Sequence, residues 1–225
     1  MEIESKEFLI EHEDTDKFTN ILGEKLKSNS FCVIRYNDPE LRKSLDELLE
    51  KTKLFFDDSS CEKKQEISLE TLTMIGYGKI PNQKEFLHIR DTDVKIMHEN
   101  QILSEGFKMH KQLEKISGDL LKRMVLFQQF ENGEHDKEES EKVWMQFKQK
   151  YLFDSEKKLS ENRKHFYSPC VLDLIKYSFD GKTNFPCVPH NDQGLITLVP
   201  IINFQGIKIF SFTVMLKEFH SSFWK

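Results

Sequence analysis

The sequence predicts an α+β fold in which helices come first and strands come last. Apolar residues recur every three to four positions along residues 41–55 and 113–127, which is the period of an amphipathic helix. From residue 171 onward they instead form short runs rich in β-branched and aromatic residues. This order predicts a helical region over residues 1–165 and a β-rich region over residues 166–225.

Capping signals and periodicity place the elements of the helical region. Asp38 suits an N-cap, Pro39 suits the first helical position, and a helix through Phe55 follows. The other predicted elements are a helix from residue 16, a strand at 31–36, a loop or short solvated helix at 57–70, a turn at 76–78, a strand at 85–90, a helix at 100–130, a solvated charge run at 131–142 and a short helix at 143–152.

The β-rich region is predicted to contain four strands, with turn-forming residues after the first. They lie at residues 171–177, 194–199, 206–210 and 211–216.

Composition narrows the classes of protein to consider. The net charge is −5 and no basic cluster is present, so we expect no nucleic-acid partner. There is no apolar run near eighteen residues and no apolar stretch behind a basic N-terminus, so we expect neither a membrane span nor a signal peptide. The four cysteines are widely spaced and read as reduced thiols of a cytoplasmic protein.

The residues that indicate chemistry are His190 and Asp192. On an extended strand, residues two apart point to the same face, so the imidazole and the carboxylate would project together. With a second histidine, such a pair forms the facial triad of non-haem iron(II) sites, which leaves coordination positions open for a cosubstrate and O₂. An exposed polar pair at a turn is the ordinary alternative for two residues at this spacing.

The surrounding segment resembles the His-x-Asp-x-Gly-Leu-x-Thr-Leu-x-Pro signature of the isopenicillin-N-synthase-like non-haem Fe(II)/2-oxoglutarate-dependent dioxygenases. The matching residues are His190, Asp192, Gly194, Leu195, Thr197, Leu198 and Pro200. Four earlier segments resemble further elements of this family in the same order. They are the run from Phe31 to Tyr36, Leu54-Phe55-Phe56 with Glu62-Lys63-Lys64, Gly76-Tyr77 with Lys84-Glu85 and Arg90, and Leu174 with Tyr177.

The resemblance implies a fold and a site. The fold would be a double-stranded β-helix, a jelly roll, of which residues 171–225 supply a part. His190 and Asp192 would be ligands of Fe(II), and the reaction would use 2-oxoglutarate and O₂ to oxidise a small-molecule substrate. Tyr177 would lie in the cosubstrate or substrate pocket, the alternative being a core aromatic with a satisfied hydroxyl. Ile175 stands where many plant relatives carry an asparagine that contacts the cosubstrate.

The chain departs from the family pattern after Asp192. The family has a distal histidine and an Arg-x-Ser that clamps 2-oxoglutarate, whereas the only later histidine here is His220 and no arginine follows. We therefore expect a C-terminally truncated homologue with an incomplete jelly roll and an open sheet edge. The alternatives are a catalytically inactive homologue or interaction module, His220 as a substitute third ligand, and an oligomer that pairs through the open edge.

Overall fold

The structure is a computed structural model. It describes residues 9–11, 16–29, 31–58, 61–68, 75–93, 95, 100–131, 137–161, 164–178 and 194–199. Over these residues the chain is an α+β protein with several helices and two small sheets.

The helices occupy most of the described chain. They are α1 (Asp16–Asn29), α2 (Pro39–Asp57), α3 (Cys61–Glu66), α4 (Gln101–Glu131), α5 (Lys137–Phe147) and α6 (Asp154–Ser160), with a π-helical turn (Lys148–Phe153) between α5 and α6. The strands are β1 (Leu9–Glu11), β2 (Val33–Arg35), β3 (Gly76–Ile80), β4 (Lys84–Ile89) and β5 (Leu172–Tyr177).

The described strands form two sheets. β1 pairs with β2 in parallel, with Leu9 opposite Val33. The second sheet is antiparallel and has the order β3-β4-β5. β3 and β4 form a hairpin, whereas β4 pairs with a strand far along the chain, with Ile89 opposite Leu172 and Lys84 opposite Tyr177.

The chain divides into two compact units. The first unit comprises Met1–Pro39, Ser117–Gln146 and Gln193–Lys225, and the second comprises Glu40–Ile116 and Phe147–Asp192. The boundary proposed at residue 165 stays a prediction, while β5 pairs with β4, a strand from the predicted helical region.

In the first unit, α1 packs closely against α4. Phe18 and Leu22 of α1 are almost fully buried. A Cβ atom added at Gly23 would lie 2.1 Å from Cγ of Phe127, so this helix contact depends on the missing side chain. The buried guanidinium of Arg123 forms an ion pair with Asp119 at 3.0 Å, donates to the Thr19 hydroxyl at 3.2 Å and lies over the Phe18 ring.

In the second unit, one hydrophobic core joins α2, the β4–β5 pair and the first part of α4. Its buried members are Leu48, Phe56, Ile67, Leu87, Ile89, Ile102, Leu103, Met109 and Leu174. Gly106 allows close packing here, because a Cβ atom would lie 2.1 Å from Cδ1 of Ile89. One face of the β3-β4-β5 sheet packs against this core, and the other face points away from it.

Most local predictions are confirmed. The helices from residue 16, from Pro39 and over 100–130, and the strands near 31–36, 85–90 and 171–177, are present. Residues 57–70 were predicted to form a loop or a short helix, and α3 confirms the helix. The charge run at 131–142 ends within α5. The short helix at 143–152 is divided between α5 and the π-helical turn.

The turn predicted at residues 76–78 is wrong, because these residues lie in β3. Gly76 is needed for its φ of 110° and for close backbone approach, since a Cβ atom would lie 2.5 Å from the Ile67 carbonyl oxygen. The turn lies a few residues later, where Asn82 adopts a left-handed φ of 61° and the Gln83 amide donates to the Ile80 carbonyl at 3.1 Å.

The strand predicted at residues 194–199 is also wrong, because this segment has bends and no regular strand. A strand is defined by backbone hydrogen bonds to a neighbour, and this segment has no ladder partner within the described ranges. The predicted turn at 179–184 and the predicted strands at 206–210 and 211–216 lie outside the described residues.

Candidate functional site

The predicted iron ligands His190 and Asp192 lie outside the described residues, as does His220. Within the described ranges, no three His, Cys, Asp or Glu side chains form a group that could hold a metal ion. The geometry that bears on the site is therefore that of Tyr177 and the sheet around it.

Tyr177 is the last residue of β5 and lies opposite Lys84 of β4. Its side chain is 40% exposed, so it is not a core aromatic. Because side chains alternate along a strand, Tyr177 shares a sheet face with Ile175 and Asp173, whereas Leu174 points into the hydrophobic core. The partner residues on the same face of β4 are Lys84, Phe86 and His88.

This outer sheet face, defined by Lys84, Phe86, His88, Asp173, Ile175 and Tyr177, is ordered by side-chain contacts. Nδ1 of His88 hydrogen-bonds the Asp173 carboxylate, and the His88 and Phe86 rings lie 4.5 Å apart. The Lys84 ammonium lies over the Phe86 ring at 5.7 Å from its centroid. The face therefore combines an imidazole, a carboxylate and a tyrosine with aromatic and aliphatic surface.

Residues of α3, β3 and β4 are joined on the other face of the sheet. Glu85 accepts hydrogen bonds from Lys64 at 3.2 Å, from the Tyr77 hydroxyl at 3.0 Å and from Lys79 at 3.1 Å. Burial raises the pKa of Glu85, but the three donors outweigh burial and hold the pKa below its ordinary value. Glu85 is therefore an ionised anchor that fixes α3 and β3 to β4.

Arg90 joins β4 to the segment before β5. Its Nη1 donates to the carbonyl oxygens of Ser168 at 2.9 Å and Pro169 at 3.1 Å. The Ser168 amide donates in turn to the Asp91 carbonyl oxygen at 2.8 Å. We call residues 164–171 the strap, because this run crosses the unit and leads into β5. Arg90 thus has a structural role in positioning β5.

A buried polar cluster lies between the strap and α4. His110 hydrogen-bonds the Cys170 carbonyl oxygen at 3.1 Å, and Glu114 accepts from the Ser168 hydroxyl at 2.8 Å. His110 was not predicted from the sequence as a functional residue. The signal that would have identified it is its spacing, because it lies three residues before Leu113 on the apolar face of the helix.

The described thiols are poor nucleophiles. Burial raises the pKa of the Cys170 thiol to about 11, with a further rise from the nearby Glu114 charge. Burial likewise raises the pKa of Cys32 to about 11. Nucleophilic catalysis requires the thiolate, so neither cysteine is suited to it at neutral pH.

A surface cavity of about 550 Å³ lies beside the π-helical turn. Its lining includes Phe153, Glu156, Ser160, His165 and Phe166. Burial raises the pKa of Glu156, with smaller contributions from the Glu114 and Asp91 carboxylates. Both acidic and basic side chains line this cavity, so it presents no single charge to a ligand.

No helix in the described part of the chain is long and apolar enough to cross a membrane.

Comparison with known proteins gives little further information. No family model matches the chain, and no curated protein matches it. Among solved structures, it is similar to a crystal structure of full-length thymine-7-hydroxylase, an Fe/2-oxoglutarate dioxygenase from Neurospora crassa, in complex with alpha-KG and 5-formyluracil. The identity is 18%, the TM-score is 0.44, and the likeness covers 53% of this chain and 43% of that chain. A likeness at this level establishes neither a shared family nor a shared function.

Proposed function

We propose that the chain is a homologue of the non-haem Fe(II)- and 2-oxoglutarate-dependent oxygenases, and that its chemistry is the oxidation of a small organic substrate. The observation that carries the proposal is the run from His190 to Pro200, in which both ligand types stand at the required spacing within seven matching positions. An imidazole and a carboxylate are the donor set of facial iron(II) sites.

The described contacts support the proposal through residues chosen independently of the ligand pair. Lys64 belongs to one segment that resembles the family and Tyr77 and Glu85 to the next, and the three residues meet in one hydrogen-bonded cluster. Lys64 and Tyr77 both donate to the Glu85 carboxylate, so the three residues share one structural role.

Two roles follow for the site residues. His190 and Asp192 would supply two of the three protein ligands of Fe(II), and Tyr177 would contact the 2-oxoglutarate cosubstrate. When bound, the metal with its cosubstrate and O₂ supplies the oxidative chemistry, while the protein orients the substrate and excludes water. We propose that Tyr177, on the outer sheet face, belongs to the same site.

Metal binding and turnover in the purified chain test this proposal. Cobalt(II) serves as the spectroscopic probe for the iron site, and succinate release reports cosubstrate decarboxylation. We expect the wild type to bind one cobalt(II), and His190→Ala and Asp192→Ala to lose that binding. The matched control is His165→Ala, because His165 is an exposed histidine in the described part of the chain. Equal cobalt(II) binding by wild type and His190→Ala would refute the proposal.

The same measurements separate the active form from the inactive alternative. That alternative is a catalytically inactive homologue or interaction module, which would lack an arginine to bind the distal carboxylate of 2-oxoglutarate. Metal binding without succinate release above the level of His190→Ala would identify a pseudoenzyme. Succinate release above that level would identify an oxygenase.

An oligomer paired through the sheet edge at β5 is a separate proposal. β5 pairs with β4 on one side, and β3 and β4 complete the described sheet. An edge strand presents backbone donors and acceptors that a second chain satisfies by continuing the sheet. Light scattering that gives a dimer mass would support pairing, and a monodisperse monomer would exclude it.

A further inference from the structure

Within the second unit, the strap is held by contacts toward β4 and by contacts toward α4. Toward β4, the Arg90 guanidinium binds its carbonyl oxygens, and Thr92 forms a bridge with Tyr167. Toward α4, the attachment includes the side-chain hydrogen bonds from His110 to Cys170 and from Ser168 to Glu114. The contact with α4 therefore includes an imidazole, whose second ring nitrogen, Nδ1, can gain a proton.

The bond to Cys170 fixes the tautomer of His110. A carbonyl oxygen only accepts hydrogen bonds, so Nε2 must carry the hydrogen and donate across the 3.1 Å separation. In the neutral ring, Nδ1 is then a bare acceptor. This atom is buried and has no hydrogen-bond partner among the residues that the structure describes, and the residue is 2% exposed.

Protonation would place a hydrogen on Nδ1, where no described acceptor receives it. A buried donor without a partner is destabilising, and a buried charge is more so. The hydrogen bond to the Cys170 carbonyl opposes this cost, as do the Glu114 and Asp91 carboxylates, while the Lys111 ammonium on the same helix adds to it. Burial is the largest effect, and the pKa of His110 lies below its ordinary value of 6.5.

The charged groups around the imidazole come from every element of the cluster. Lys111 and Glu114 are on α4, Asp91 follows β4 and forms an ion pair with Lys111, and Cys170 is on the strap. Glu156 of α6 interacts with Glu114 and Asp91 and belongs to the same electrostatic group. The His110 ring is the member whose charge changes from neutral to positive on mild acidification.

We propose that His110 is a pH-sensitive latch that holds the strap on α4 when neutral and releases it when protonated. Release relieves the buried charge by letting water reach Nδ1, and the strap keeps its contacts with Arg90. Because the strap leads directly into β5, release also loosens the start of the strand that ends at Tyr177. The proposal concerns this chain's structure and does not rest on the oxygenase assignment.

Hydrogen exchange followed by mass spectrometry tests the latch on the full chain. Rates are corrected for the intrinsic pH dependence of exchange. Between about pH 7.5 and about pH 5, we expect the corrected exchange of the strap to rise severalfold, because the pKa of His110 is lowered in the closed state. The internal reference is α2, which belongs to the same unit and should stay protected.

Three variants assign the effect to one imidazole. His110→Gln keeps a donor for the Cys170 carbonyl and cannot be protonated, so its strap should stay closed across the range. His165→Gln removes the exposed strap histidine that pairs with Asp93 and should open like the wild type. Glu114→Gln keeps an acceptor for Ser168 but removes a charge that favours the imidazolium in the closed state, so acidification should open the strap further than in the wild type.

The following results would contradict the proposed latch. Strap exchange that does not change with pH, or an undiminished change in His110→Gln, would overturn it. Equal loss of protection in α2 would show unfolding of the whole unit instead. Should His110→Gln not fold, NMR titration of the His110 ring in the wild type decides the matter, because its midpoint must coincide with strap opening.

Discussion

Lys64 of α3 and Glu85 of β4 form an ion pair with 3.2 Å between Nζ and Oε2, although their side chains are only 12% and 14% exposed. The same ammonium donates to the Phe56 carbonyl oxygen at 3.0 Å and lies near the rings of Phe55 and Tyr77. One lysine thus joins the end of α2, α3 and the sheet. Its loss would leave a buried carboxylate with fewer donors.

We expect Lys64→Met to lower the free energy of unfolding by about 2 kcal/mol, since a hydrogen bond to a buried charged group contributes about that amount. Methionine keeps the apolar stem and removes the ammonium. The control is Lys79→Met, because Lys79 binds the same carboxylate but is 56% exposed and should cost less than about 1 kcal/mol. Urea unfolding measures both, and equal losses would contradict the assignment.

Acidification should destabilise the second unit in two separate windows. The pKa of His110 is lowered by burial, so its contribution is complete above the ordinary value of 6.5 and is lost as pH falls below it. The pKa of Glu85 is also lowered, because its donors outweigh burial, and its contribution is lost below the ordinary 4.5. Urea unfolding measured across pH should show that His110→Gln lacks the first loss of stability and that Glu85→Gln lacks the second.

Gly23 and Gly118 give a matched pair of helix substitutions in the first unit. Gly23→Ala should destabilise by about 1–3 kcal/mol, because the new Cβ atom would overlap the Phe127 ring. Gly118→Ala meets nothing within 4 Å and should stabilise by about 0.5–1 kcal/mol through helix propensity. Thermal unfolding compares the two, and a stabilised Gly23→Ala would contradict the close contact of α1 with α4.

Tyr177→Phe tests the proposed cosubstrate contact. If the chain turns over 2-oxoglutarate, we expect a weaker apparent affinity for it, by about tenfold for one lost hydrogen bond. Stability should change by less than about 0.5 kcal/mol, because the side chain is exposed. The control is Tyr36→Phe, which removes an equally exposed hydroxyl at 40%. An unchanged affinity in Tyr177→Phe would remove Tyr177 from the site.

The sequence predicted the elements that depend on local signals. Asp38 and Pro39 placed the start of α2 because capping and the fixed φ of proline act within a few residues. The sequence did not predict structure that depends on contacts between residues far apart in the chain. Gly76 and Gly78 suggested a turn, but Gly76 approaches the Ile67 carbonyl and Gly78 leaves space for the Phe86 ring, and neither neighbour could be known from local sequence.

The candidate site was predicted only in part for the same reason. A spacing of two residues placed His190 and Asp192 on one strand face as an expectation, and the pair stays a prediction. The cluster of His110, Glu114 and Ser168 escaped notice because its members come from segments more than fifty positions apart, which only tertiary structure brings together.

The pairing of β4 with β5 has a consequence for synthesis of the protein. Lys84 meets Tyr177 about 90 positions later, so the ribosome must add those residues before β4 gains its second neighbour. At roughly 5–20 residues per second, β4 waits on the order of 5–20 s with one backbone edge open. During that interval the β3–β4 hairpin is a template for any extended chain nearby, and a nascent-chain chaperone that shields it would raise the yield of folded protein.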